Sequence, residues 1–364
     1  MMSTKQALLL SAWLTGFTMT ATAQYPTDEA GPAKSQKQID LNKGKITLER
    51  EPLLTADKLP LKISGIEVIN ATWDTTHLGF VSLGSRWMPA TPDKEMTVYL
   101  SEFVKNAFSH LYSTDGIKLL WVVDDLRIGE QPGGVGEKAF IRLKATAYGS
   151  SDGQTYQRLY AMDEAKLNRG LGLTKKHHQF IANAFMELLQ KAPEKSGVAL
   201  TKSDIIQHHL QKRQVPALTA PQMKDGVYQN FEEFRNNAPG LTQFEIKKGE
   251  YEYEWADIIG TTADGRKGKV RSCWGIVKDG NVFRYQDGKL IQLERWNYGY
   301  VLSRYLKDSR DRSRSAVVGA VLGGVLGAMV ASGSGHMVSA DAFPALKVSP
   351  DATAIDMETG AFIF

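Results

Sequence analysis

Residues 316–331 carry no charge, and Gly319, Gly323 and Gly327 recur along them at every fourth position. That spacing puts the three glycines on one face of a helix. A face without side chains lets a second helix approach closely, which is the physical basis of small-xxx-small packing in membranes. In water each such glycine weakens an isolated helix by about 1 kcal/mol, so lipid or a partner helix has to compensate. The segment is therefore expected to be a glycine-zipper helix that associates with a membrane or with partner helices, self-association included. A soluble oligomeric zipper and an unstructured tail are the competing readings.

A bilayer span takes about 20 apolar residues, and this run reaches that length only by borrowing residues 332–338. Arg304, Lys307, Arg310, Arg312 and Arg314 precede it, and the positive-inside rule places such a flank in the cytoplasm. The start of the chain points the other way. Lys5 forms a basic n-region, residues 7–17 an apolar h-region, and Ala21-Thr22-Ala23 a cleavage site before Gln24, the pattern of a secretory signal peptide. An exported bacterial protein is expected, periplasmic or associated with the outer membrane, and a conventional inner-membrane anchor is disfavoured.

Cys273 is the only cysteine. No acceptor for lipidation stands near the cleavage site, and no intramolecular disulfide can form. Cys273 lies in the apolar run 270–277, where a small buried hydrophobe is expected. Lys and Arg number 44 against 40 Asp and Glu, a net charge of +4 in which both signs are mixed along the chain. No basic patch emerges, which argues against nucleic acid as a partner.

Segment patterns predict an α+β fold: an N-terminal α/β sandwich-like domain, a small antiparallel β-meander domain and the zipper helix. After the signal peptide (1–23), residues 24–45 are poor in aromatics and read as a linker. The first domain is assigned to 46–192. Its first helix is expected to open at Thr91-Pro92, with Thr91 as N-cap and Pro92 at N1, and Leu100, Phe103, Val104, Ala107, Phe108 and Leu111 facing inward. Residues 117–123 are a continuous apolar run, the mark of a strand covered on both faces. Residues 138–148 alternate, with Ile141, Leu143, Ala145 and Ala147 inward and Arg142, Lys144 and Thr146 on a wet face. A second helix from about Thr174 turns Phe180, Ile181, Ala184, Phe185, Leu188 and Leu189 inward.

Residues 193–218 form a helical linker, with a short polar helix over 203–212. The β-rich domain spans 219–307, where Asp-Gly pairs at 264–265, 279–280 and 287–288 separate runs of β-branched and aromatic residues, a strong hairpin signal. A basic flank with the zipper (308–338) and a C-terminal tail (339–364) follow.

No catalytic constellation assembles, and no metal or cofactor site is expected. Gly149-Ser150-Ser151-Asp152-Gly153 fits the spacing of a nucleophile elbow, but strands flank it on both sides, so a hairpin turn is expected. His177-His178 and His208-His209 lack the i, i+4 partner for chelation and read as solvated helix faces. Asp124 and Asp125, adjacent on a strand, should face opposite ways and serve in turns or ion pairs with Arg127. The glycines of 132–138 fail the phosphate-loop spacing. Tyr251, Tyr253 and Trp255 share one strand face and, with Trp274, form either a small domain's core or a platform for a glycan or peptide ligand.

Residues 225–234, Asp-Gly-Val-Tyr-Gln-Asn-Phe-Glu-Glu-Phe, followed by Asn236-Asn237 and Pro239, resemble a stretch that recurs in secreted bacterial proteins of uncharacterised function. The zipper is similar to those of outer-membrane-associated proteins, many of which carry two such segments as a hairpin. The element order of 46–192 and its helix at 175–189 resemble the auxiliary lipoproteins of envelope transport systems. Together these imply a non-enzymatic envelope protein with a structural or accessory role and possible envelope protein partners. The alternative is a secreted glycan- or peptide-binding module using the aromatic face.

Overall fold

The apolar run at 117–123 is the first half of a 15-residue strand, Ile117–Gln131. Leu119, Trp121 and Val123 pack into one core and Leu120 and Val122 into another, so both faces are covered. An eight-stranded mixed sheet surrounds this strand, β5. It comprises β1 (Lys45–Ile46), β2 (Ile63–Asn70), β3 (Gly79–Leu83), β4 (Arg86–Pro92), β5, β6 (Glu137–Ser150), β7 (Thr155–Gly170) and β8 (Ser196–Thr201). The order is β1-β4-β3-β5-β6-β7-β8, and β2 runs parallel to β5 along its first half. The computed structural model describes residues 44–48, 52–53, 59–83, 86–131, 137–191, 196–248, 256–262, 264–286, 288–303 and 352–363. The signal peptide, the linker up to residue 43 and the zipper glycines Gly319, Gly323 and Gly327 lie outside them.

Two helices cover one face of this sheet, α1 (Met96–Phe108) and α2 (His177–Gln190). Their apolar stripes follow the sequence periodicity, with Leu100, Phe103, Val104, Ala107 and Phe108 buried from one and Ile181, Ala184, Phe185, Leu188 and Leu189 from the other. Trp121 sits between them, stacked on Phe185 at 5.7 Å and edge-on to Phe108 at 5.5 Å. The start of α1 departs from expectation. Thr91 and Pro92 belong to β4, held there by pairing with Lys45 and Ile46 of β1, and Glu95 caps the helix by accepting from the Thr97 and Val98 amides. Strand pairing outweighs the capping preference of Thr91, and the carboxylate takes over the orphan amides.

The opposite face receives α3 (Lys202–Gln211), opened by a capping box between Thr201 and Asp204. Ile205 of α3 packs with Leu120, Val122, Tyr148 and Tyr156, so this polar-looking helix is docked on the sheet. The short α4 (Pro216–Thr219) leads into β9 (Gly226–Tyr228) and α5 (Phe231–Arg235). A three-stranded antiparallel sheet of β10 (Phe244–Lys248), β11 (Ala256–Thr261) and β12 (Lys267–Lys269) comes next.

The last sheet is antiparallel throughout and has seven strands. To β9 it adds β13 (Gly275–Lys278), β14 (Asn281–Gln286), β15 (Lys289–Trp296), β16 (Gly299–Leu302), β17 (Ala354–Ile355) and β18 (Phe362–Ile363), ordered β18-β17-β16-β15-β14-β13-β9. All three Asp-Gly pairs fall between paired strands. At the second, Asp279 and Gly280 both take positive φ (51° and 74°), as a type I′ turn requires. Residues 352–363, expected in a tail, supply the final hairpin of this sheet. The described architecture is thus rich in strand: a mixed sheet with helices on it, followed by an antiparallel meander, in an α+β arrangement.

Phe185→Ala removes the ring shared by Trp121 and Phe103, and it should cost about 3–5 kcal/mol. Urea unfolding followed by far-UV circular dichroism measures this, and a loss under 1 kcal/mol would contradict the central position of that ring.

Candidate functional site

In β5 the ladder to β6 pairs Val123 with Ala145 but Asp125 with Lys144, leaving Asp124 as one extra residue. Such a bulge reverses which side chains face which way along the rest of the strand. Before it, odd-numbered residues face the α1/α2 core; after it, Leu126 and Ile128 do. Asp124, Asp125 and Arg127 all turn toward the other face as a result. The expectation that the two aspartates point to opposite sides is thereby corrected, because strict alternation does not survive a bulge.

A buried network of charges forms there. His209 of α3 is 4% exposed. Its Nδ1 lies 2.8 Å from Asp124 Oδ1 and its Nε2 2.9 Å from the Tyr148 hydroxyl. Lys212 reaches Asp124 at 3.6 Å and Glu358 at 2.9 Å. From β6, Arg142 contacts Asp125 (3.2 Å), Asp163 (2.8 Å) and Asp356 (3.1 Å), and Lys144 contacts Glu358 (2.8 Å). Asp356 and Glu358 belong to the turn of the β17–β18 hairpin. The face of β6 expected to be wet is therefore covered by the C-terminal hairpin, with acids of that hairpin opposite Arg142 and Lys144.

Arg127 lies deepest, at 1% exposure. It donates to Thr353 Oγ1 at 2.8 Å, stands 4.0 Å from Asp74, and lies 4.6 Å over the Trp73 ring. Burial pushes the Asp125 carboxyl up to about 6, against the pull of Arg127 and Arg142. For Glu358 burial acts in the same direction, yet hydrogen bonds from Lys144 and Lys212 bring it down to about 2. A cavity of about 50 Å³, lined by Asp124, Asp125, His209, Arg213, Tyr298 and Glu358 among others, opens beside the network. It has room for a few waters. The carboxylate–imidazole–phenol chain from Asp124 to Tyr148 can hold a histidine tautomer and pass a proton between buried groups. Among the described residues no cluster of three or more His, Cys, Asp or Glu is arranged to hold a metal ion.

The remaining sequence candidates are placed as follows. His177, expected on a solvated helix face, is buried, its Nε2 2.8 Å from Glu130 Oε1. Helical periodicity alone did not reveal His177 or His209, since each lies on the inward side of a helix with otherwise polar neighbours. Ser150 and Asp152 build the expected hairpin turn, in which Asp152 accepts from the Gln154 and Thr155 amides. Trp274 is core: it lies 4.2 Å from Phe234, and its indole N–H donates to the Gly360 carbonyl at 3.2 Å. Tyr251, Tyr253 and Trp255 are outside the described residues. Within 225–237, Asp225 accepts from the amides of the 279–280 turn, Asn230 caps α5, and Asn237 accepts from the Lys224 amide and the Tyr228 hydroxyl. These residues hold the sheet end together. No family model matches the chain, and no curated protein or solved structure matches it.

The two perturbed acids act on stability with opposite sign. Burial favours neutral Asp125, so its contribution is complete below the ordinary carboxylate range and is lost as pH rises through about 6. The contribution of Glu358 is present above that range and is lost as pH falls toward about 2. Asp125→Asn should flatten the fall in stability between pH 4 and pH 7, an effect on the order of 2–3 kcal/mol. Urea midpoints across that range measure it, and an unchanged pH profile would contradict the assignment.

Proposed function

We propose that this protein is an exported envelope protein with a structural or accessory, non-enzymatic role, which presents its glycine segment to a membrane or to partner helices from a rigid base. One observation carries the reading. Val301 of β16 pairs with Ala354 of β17, and the Leu302 amide donates to the Thr353 carbonyl at 2.8 Å. Residues 304–351, which include Gly319, Gly323 and Gly327, thus leave and re-enter the same sheet.

This pairing narrows how the segment can meet a bilayer. One crossing would set β16 and β17 on opposite sides of the membrane. Two crossings need a second span of about 20 apolar residues. Residues 339–351 are fewer and include Asp341, Pro344, Lys347 and Pro350. The reading therefore commits to contact from one side: an apolar helix in the interface, with Arg310, Arg312 and Arg314 near anionic headgroups, or a helix packed through its glycines against another. No helix among the described residues is long and apolar enough to cross a membrane.

Removing residues 308–348 leaves β17 and β18 in the chain, whereas truncation before the zipper would strip two strands from the sheet. Cell fractionation with a carbonate wash compares the deletion with the full chain. Retention of the full chain in a membrane or high-mass fraction, with release of the deletion, is the expected result. Identical behaviour of the two forms would count against the zipper as an attachment element.

A further inference from the structure

The chain leaves β7 through Gly170-Leu171-Gly172 and is anchored again at Leu173, which opens a short 3₁₀ turn, Leu173–Lys176, ahead of α2. Leu173 is buried, and its amide donates to Glu137 Oε2 at 2.8 Å. Gly172 takes φ +63°, a left-handed conformation that favours glycine. The tip is thus fixed at its base, and it holds Leu171 out at 77% exposure between two residues without side chains. Leu167, on the last turn of the same strand edge, is 41% exposed. Leaving both leucines in water gains the fold nothing.

Charge gathers at the same place, although both signs are mixed along the chain as a whole. Residues 165–186 contain Lys166, Arg169, Lys175 and Lys176 and no Asp or Glu, so this stretch carries as much net charge as the entire chain, +4. Lys166 pairs with Glu187 of α2, whereas Arg169, Lys175 and Lys176 are exposed. In the β6–β7 ladder Arg169 stands opposite Lys138, and Leu167 opposite Phe140. A basic pair and an apolar pair therefore adjoin on one face of the sheet end, and like charges set opposite each other weaken strand pairing. Glu137, opposite Gly170, is the acid at this end of the ladder.

An apolar tip beside exposed cations suits an anionic lipid surface. Leu171 enters the boundary between headgroups and acyl chains, while Arg169, Lys175 and Lys176 stay level with the headgroup charges. An acidic protein would satisfy the cations but would need a pocket shaped for the projecting leucine, whereas a bilayer accepts that leucine anywhere along its surface. We propose that the Leu171 tip is a membrane contact of this protein, selective for anionic lipid. The proposal rests on the reading that the chain meets a membrane, and it uses none of the residues of the glycine segment.

A polarity-sensitive fluorophore on Leu171→Cys in the full chain reports the contact directly. Cys273 is buried and its thiol is pushed up to about 12, so the label goes to position 171. The control is the same label on Val198→Cys, which is 81% exposed on β8 beside the opposite end of β7. The vesicles are phosphatidylcholine alone, or phosphatidylcholine and phosphatidylglycerol in equal parts. On the anionic vesicles the label at 171 should move to shorter wavelength and brighten at least about twofold, with the label at 198 unchanged. Neutral vesicles should bind at least about tenfold more weakly. Adding Arg169→Glu/Lys176→Glu should raise the anionic lipid needed by at least about tenfold. Circular dichroism verifies the fold of that variant, and added salt should weaken the response of the chain that keeps both cations. Sedimentation of the chain with anionic vesicles while the label at 171 stays unshifted would overturn this proposal and leave attachment to the glycine segment. Equal shifts at 171 and 198, an equal response to neutral vesicles, or sedimentation with neither vesicle would also overturn it. So would an equal response to soluble polyglutamate, which would point to an acidic protein partner instead.

Discussion

The rest of the molecule depends on one extra residue in β5. Without the bulge at Asp124, continued alternation would turn Asp125 and Arg127 into the α1/α2 core, where an unpaired charge costs several kcal/mol. With it, the first half of the strand offers apolar side chains to both cores, while the second half offers Leu126 and Ile128 to one and charges to the other. A single strand can thus serve as the apolar centre of one layer and as the polar docking surface for another. Arg127, Arg142, Lys144 and Lys212 each meet an acid or hydroxyl from another element.

Most of these partners come from one short piece of chain. Thr353, Asp356 and Glu358 belong to the C-terminal hairpin, which also completes the meander through β16 and accepts the Trp274 indole N–H at Gly360. Gly360 takes φ +71°, and a Cβ there would meet the Phe231 ring at 2.4 Å, so the hairpin tip reaches the Trp274 cluster only as glycine. The hairpin is shared by both large sheets. In sequence it directly follows residues 304–351, which hold Gly319, Gly323 and Gly327.

Local chemistry was legible wherever periodicity or turn type decided it. The stripes of α1 and α2, the twice-covered strand at 117–123, the turn at Ser150 and Asp152 and the three Asp-Gly hairpins follow from spacing and backbone preference alone. The charge network was not legible, because a bulge leaves no periodic signature and its partners come from elements distant in sequence, Arg142 and Asp356 being 214 residues apart. Thr91 misled for a related reason, since its capping preference, about 1 kcal/mol, yields to pairing with a distant strand. His209 looked solvated because the acid and phenol that bury it are on β5 and β6, outside the reach of a helical pattern. The aromatic residue at Trp274 was ambiguous from sequence and is settled as core by its contact with Phe234.

The central claim is that the C-terminal hairpin is an integral part of the fold, docked on both sheets and paired with β16. Hydrogen–deuterium exchange of the full chain at neutral pH, read by mass spectrometry, tests it most directly. Peptides covering 352–363 should be protected to the same degree as those covering 281–302, and both far more than an unfolded chain. Exchange of 352–363 at unfolded-chain rates beside a protected 281–302 would mean that the hairpin is undocked, and the account built on it would be wrong.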